Sequence, residues 1–283
     1  MKLTKYPDGT SYINSPIMGQ TTFKLNSYED LWHLNQFVDA FKDEYTSKPT
    51  ILIPNLLDAQ ADRRFNKGES SGLKLVCNFL NNMDANFKIF HPHNPEVVEA
   101  LVDNVKIVDN TYFIKEVLSE LYCNKANIKR DEGLFYHTNL DNLILASSDA
   151  GGFKPLMKLC EKLDWKGETF SASKSRKYSD GETKLTQSVG LQDFEGKDIL
   201  IVDDICVYGG TFKGLANLFR ERNCGKLYLA ISHLTIENHK GNDHVFKYFD
   251  KVFTSNSKFD SYWIEDKKGG YIKPDNLRVV NLF

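Results

Sequence analysis

The sequence has no paired-cysteine framework. Its five cysteines, Cys77, Cys123, Cys160, Cys206 and Cys224, are odd in number and widely spaced, and none forms C-x-x-C. That pattern argues against both a disulfide-stapled scaffold and a zinc ribbon, and leaves reduced thiols in a reducing compartment as the expectation. No apolar run approaches the ~20 residues needed to span a bilayer. The opening stretch "MKLTKYPDGTSYI" lacks the apolar core of a secretory leader, so a cytoplasmic location is expected. A surplus of charge is missing too: 36 basic residues face 38 acidic ones, for a formal charge of −2. No whole-chain field therefore draws nucleic acid or an acidic membrane, and neither is expected as a partner. Any anion site must be local. Low-complexity tracts and short-period repeats are likewise absent, and 41% hydrophobic residues across 283 positions are enough for two ordinary domains with cores of their own.

What the sequence does contain is a rhythm of short apolar strands and amphipathic helices. Ser27 is placed to cap a helix carrying Leu31, Leu34, Val38 and Phe41 to about Tyr45, and "TILIP" from Thr50 reads as a buried strand. Leu73, Val76, Cys77 and Leu80 mark a second helix. "FKIF" is a strand that gives way to His91–Asn94, and Pro95 suits the first turn of the helix that follows. "VKIV" and a helix through Ile114 and Leu121 complete this half. After the irregular "KANIKRDEGLFYHTNLD" the rhythm restarts with "NLILAS", a helix near 153–163, "ETFSAS", "DILIV", a helix from Thr211, "KLYLAIS", a helix near 244–249 and "KVFTS". Such alternation belongs to parallel sheets covered on both faces. Two α/β domains are expected, 1–137 and 138–283.

In open α/β sheets ligands sit beyond the carboxyl ends of strands, so the polar residues after each strand are the candidates. In "DILIVDDICVYGGTF", Gly209, Gly210 and Thr211 open a helix with little side chain to obstruct a phosphate. Two carboxylates just upstream, Asp203 and Asp204, would repel a phosphate and instead suit two neighbouring hydroxyls such as a ribose diol. The pattern describes a ribose 5-phosphate cradle; the plain alternative is a capped turn at a strand end. In "LASSDAGGFK", Asp149 before Gly151 and Gly152 can serve Mg²⁺, which takes one or two carboxylates plus phosphates and water, or can simply cap a turn. In "SASKSRKYSDGETK", Lys174, Arg176, Lys177 and Lys184 are either solvated surface or cations that close over a polyphosphate.

"ILIVDDICVYGGT" resembles the phosphoribosyl pyrophosphate (PRPP) loop shared by type I phosphoribosyltransferases and ribose-phosphate pyrophosphokinases, the PRPP synthetases. "SSDAGG" is similar to the latter family's "SPDAGG", "ADRRFNKGES" to its "RQDRK" segment, and "YPDGT" to its "FxDGE" turn, all in family order. The resemblance implies two phosphoribosyltransferase-like domains, each a mainly parallel sheet flanked by helices. It implies transfer of the pyrophosphoryl group of ATP to ribose 5-phosphate with Mg²⁺, and a homo-oligomer. By the same resemblance, Lys174 and Arg176 are catalytic residues on a mobile loop. Asp203, Asp204, Tyr208, Gly209, Gly210 and Thr211 hold ribose 5-phosphate or PRPP. Asp8, Asp62, Arg63 and Arg64 address ATP, and His93 and Asp149 help to place the metal. Departures fall at Val207, Tyr208, Gln60, Ala61, Thr10 and His91. His233, His239 and His244 show no ligand pattern.

Three other functions remain open at this stage. A type I phosphoribosyltransferase explains the PRPP loop but not "SDAGG" or the first half of the chain. A catalytically silent regulator of the same fold explains the departures but has little need of Lys174 and Arg176. A phosphoacceptor domain explains the paired aspartates but not the glycines.

Overall fold

The computed structural model describes residues 2–14, 18–122, 142–179, 182–188, 193–240, 244–266 and 269–283, with the side chains of residue 122 and of 173–188 outside that description. The stretch "KANIKRDEGLFYHTNLD" lies outside the described residues. Two compact units divide the chain, 1–109 with Phe283, and 110–282.

The first unit opens with a hairpin of β1 (Lys2–Lys5) and β2 (Ser11–Asn14). A four-stranded sheet follows, built from β3 (Gln20–Thr22), β4 (Thr50–Ile53), β5 (Asn86–Phe90) and β6 (Val105–Val108), in that spatial order and parallel throughout. Helices α1 (Tyr28–Glu44), α2 (Gly72–Asn81) and α3 (Pro95–Leu101) make the connections. Ser27 caps α1 through a reciprocal bond with Asp30, which satisfies backbone N–H groups that the first turn leaves without helical partners. The helical spacing of Leu34, Phe37 and Phe41 puts all three in one core with Ile51, Ile53, Phe87 and Ile89 of the sheet.

The second unit begins with α4 (Thr111–Tyr122) and is built on a six-stranded parallel sheet. Its strands are β7 (Leu143–Ser147), β8 (Glu168–Ser171), β11 (Asp198–Cys206), β12 (Leu227–Leu234), β14 (Lys251–Ser255) and β17 (Leu277–Val280). A backbone hairpin of β9 (Ser173–Ser179) and β10 (Glu182–Ser188) lies between β8 and β11 in the chain. A small sheet is made of β13 (Asn238–His239), β15 (Trp263–Glu265) and β16 (Tyr271–Ile272). Spatial order in the large sheet is β8, β7, β11, β12, β14, β17. Helix α5 (Ala150–Leu163) carries the chain from β7 outward to β8, and α6 (Gly210–Glu221) carries it the opposite way from β11 to β12. The winding therefore reverses between β7 and β11, where connections leave in opposite directions and open a crevice at the carboxyl ends. All five residues of β7 are buried, as a strand covered on both faces requires.

Four details differ from the sequence expectation. The strand holding the paired aspartates does not stop before them: β11 continues to Cys206, because β12 stays in register beside it, with Asp203 opposite Ile231 and Cys206 opposite Leu234. The expected helix near 244–249 is only a 3₁₀ turn, Val245–Tyr248, since Phe249 is already extended and β14 begins two residues later. The cation-rich segment expected as a loop has its backbone paired as the β9–β10 hairpin. Finally, α4, expected in a first domain ending at 137, belongs with the second unit. Glu120 of α4 accepts from Lys251 Nζ on β14 at 2.6 Å and from Arg278 Nε on β17 at 2.9 Å. Those ion pairs tie α4 across two neighbouring strands.

Candidate active site

The crevice between β7 and β11 gathers the polar groups of the second unit. On one side, Val202 of β11 pairs with Ser147, the last residue of β7. One residue further along each strand, Asp203 stands across from Ser148. The Ser148 hydroxyl donates to Asp203 Oδ2, and Asp203 Oδ1 accepts the backbone N–H of Asp204 at 2.8 Å. Burial pushes the Asp203 carboxyl well above the usual carboxylate range, with the neighbouring Asp204 charge and the hydrogen bond to it adding to the shift. The bonds from Ser148 and the Asp204 N–H pull the other way without overcoming it. Asp203 is thus held on both oxygens by protein donors, and its burial disfavours the charged form.

Beyond Cys206 the backbone turns sharply. Gly209 has φ of +77°, in the left-handed region, and caps α6. A Cβ there would lie 2.8 Å from Val245 Cβ, so both conformation and space require glycine. At Gly210 a Cβ would meet nothing within 4 Å, which leaves the start of α6 open to a ligand. The helix start also directs N–H groups and the positive end of its dipole outward. Tyr208 is 80% exposed beside this opening, and Thr211 is half-buried in the first turn.

Asp149 caps α5: its Oδ1 accepts the Gly152 N–H at 3.0 Å, and a Cβ on Gly151 would press within 3.2 Å of the same oxygen. Ser147 Oγ donates to Asp149 O at 2.9 Å, which fixes the turn. The capping role is therefore realised, and one carboxylate oxygen is left with no bond that α5 needs. At the far ends of β12 and β14, Ser232, His233, Ser255 and Ser257 form a buried network in which His233 Nδ1 lies 2.9 Å from Ser257 Oγ. Lys174 and Arg176 are placed by their backbone on β9, opposite Gln187 and Leu185; their side chains lie outside the described residues.

In the first unit, Asp62 and the His93 loop are brought together. Asn94, the cap of α3, donates from Nδ2 to Asp62 Oδ2 at 3.2 Å and accepts from Val97 N through Oδ1 at 3.3 Å. These loops follow β4 and β5, adjacent strands of the sheet. His93, Arg63 and Arg64 are exposed. The Arg63 guanidinium lies 5.5 Å from the centre of the Phe65 ring. Asp8 occupies the turn of the β1–β2 hairpin, where its carboxylate accepts the Thr10 N–H at 2.9 Å, a bond that holds it below its ordinary range.

Among the described residues, no cluster of three or more His, Cys, Asp or Glu side chains could enclose a metal ion. Mg²⁺ does not require such a cluster, since it takes one or two carboxylates and completes its shell with phosphate oxygens and water. Neither Ser148 nor Asn94 stands out among the sequence candidates; the signal for Ser148 is a hydroxyl just past a wholly buried strand that itself ends in Ser147.

The sequence pattern of the phosphoribosyl transferase domain matches residues 114–267. A ribose-phosphate pyrophosphokinase of Sulfolobus acidocaldarius is 26% identical over 243 residues, covering 82% of this chain and 76% of that protein. The enzyme of the same name from Thermoplasma volcanium is 23% identical over 277 residues, covering 95% and 88%. Among solved structures, phosphoribosylpyrophosphate synthetase from Mycobacterium smegmatis shares the fold, with a TM-score of 0.69 and 16% identity over 99% of this chain and 85% of that one. The domain match begins inside α4 and takes in the crevice, the β9–β10 hairpin and the Gly209 turn, more than half of the molecule: the chain belongs to the phosphoribosyl transferase domain family.

Proposed function

We propose that the protein is a ribose-phosphate pyrophosphokinase, transferring the pyrophosphoryl group of ATP to the anomeric hydroxyl of ribose 5-phosphate to give PRPP and AMP. The observation that carries this reading is the extent of the likeness. The relatives named for that activity match over 82% of the chain and more, well outside the transferase domain itself. A phosphoribosyltransferase that consumes PRPP would need only the second unit.

In the reaction the anomeric oxygen attacks the β-phosphorus of ATP. A new O–P bond forms, the bond from the β-phosphorus to the α–β bridging oxygen breaks, AMP departs with that oxygen, and the anomeric proton passes to solvent. Such transfers are catalysed mainly by positioning and charge neutralisation. The start of α6, with Gly209, Gly210 and Thr211, seats the 5-phosphate while Tyr208 flanks it. Asp203 and Asp204 take the ribose hydroxyls. Lys174 and Arg176 offset charge developing on the transferred group, and Asp8, Asp62, Arg63 and Arg64 address ATP. Mg²⁺ would supply neutralisation of the phosphate charge; Asp149 is assigned to hold it, and His93 is assigned a metal-binding role by the same resemblance. A homo-oligomer in the cytoplasm accompanies this reading. Among the described residues no helix is long and apolar enough to cross a membrane.

The test is to incubate the purified protein with ATP, Mg²⁺ and ribose 5-phosphate and follow the products by phosphorus NMR. PRPP and AMP should appear in equal amounts. Nucleotide binding without either product overturns the activity in favour of a silent binding protein.

A further inference from the structure

We infer that Ser148 is a positioning residue for ribose recognition: its hydroxyl, reaching across from β7 to Asp203 Oδ2, fixes the orientation in which the paired aspartates meet the sugar. Four observations carry this. Ser148 is 5% exposed, so its side chain is not a surface hydroxyl free to rotate among waters. It lies 55 residues from Asp203 in the chain, yet the pairing of Ser147 with Val202 delivers it to the crevice at the sheet's reversal. The other oxygen of Asp203 is already taken by the Asp204 N–H, so the Ser148 bond removes the last rotation of that carboxyl. Finally, β7 pairing ends at Ser147, and no ladder bond with β7 holds Asp203 in place on that side. A carboxyl group locked on both oxygens presents its remaining polar positions in fixed directions, as recognition of two adjacent hydroxyls demands.

The inference rests on the proposed reading of the crevice as a ribose 5-phosphate site, and the experiment separates the two. Ser148→Ala, Ser148→Thr, Asp203→Ala and the Ser148→Ala/Asp203→Ala double variant are assayed for PRPP formation, and ribose 5-phosphate binding is measured by calorimetry. Loss of the buried hydrogen bond to Asp203 should raise KM for ribose 5-phosphate on the order of tenfold in Ser148→Ala. KM for ATP should stay level and kcat should move by no more than about threefold. Ser148→Thr, which keeps the hydroxyl, should retain the parent KM. In the Asp203→Ala background, where Ser148 has no carboxyl left to orient, Ser148→Ala should weaken sugar binding no further, a non-additivity that general loosening of the fold would not produce. An unchanged KM for the sugar in Ser148→Ala overturns the inference, as do parallel losses for both substrates or additivity in the cycle, and the pyrophosphokinase reading then still stands. If the parent protein makes no PRPP yet binds ribose 5-phosphate, the activity falls while calorimetry still decides the inference by the same comparison. If the parent does not bind the sugar at all, both fall.

Discussion

Replacing Asp203 with asparagine should make the unliganded protein more stable at neutral pH while removing the function of the crevice. Burial and the adjacent Asp204 raise the Asp203 carboxyl well above its usual range. An acid whose folded pKa exceeds its unfolded one holds more protons in the folded state between those two values. Stability is therefore full below the unfolded value and declines as pH rises through that window. Asp203→Asn deletes the decline. The amide keeps both bonds: its oxygen can accept the Asp204 N–H that now lies 2.8 Å from Oδ1, and its NH₂ can donate to the Ser148 hydroxyl. Each unit of displacement is worth about 1.4 kcal/mol. For a unit of this size each kcal/mol moves Tm by about 2–4 °C. Thermal unfolding by circular dichroism should thus show a gain of about 3 °C or more at pH 7.5, shrinking to nothing near pH 3.5 where both forms are uncharged. A Tm that falls at pH 7.5, or a gain equal at both pH values, refutes the reasoning.

Other perturbations probe separate parts of the site. Lys174→Ala should lower turnover by on the order of a hundredfold or more with no change in Tm, read in a steady-state assay of AMP release; an unchanged rate removes the β9–β10 hairpin from the mechanism. Gly209→Ala should cost roughly 1–3 kcal/mol in a urea titration and abolish ribose 5-phosphate binding, since a positive φ and a Cβ 2.8 Å from Val245 Cβ act together. A variant as stable as the parent would mean the turn can relax. Cys206, 1% exposed with its thiol pushed up to about 12 by burial, should resist Ellman's reagent at pH 8 in the native protein and react on unfolding. Rapid labelling in the native state would contradict that burial.

Much of the architecture is written in local patterns. The Ser27 cap, the helical spacing from Leu31 to Phe41 and the apolar strands can be read from residues a few positions apart, because capping and periodic burial act over one or two turns. The glycine turn before α6 was legible for the same reason: a left-handed φ selects its residue type locally. Other features depended on neighbours that only folding supplies. The length of β11 is set by β12, which continues to pair past Asp203 after β7 has stopped. Helix α4 joins the second unit because Glu120 meets Lys251 and Arg278, partners 131 and 158 residues away. Ser148 acquires a role only once two strands align, and Asp62 meets Asn94 only once β4 lies against β5. Sequence thus determined most of the helices and strands and the glycine turn before α6, while tertiary structure decided which side chains face one another. Strand register couples residues through space without leaving a trace in their spacing along the chain.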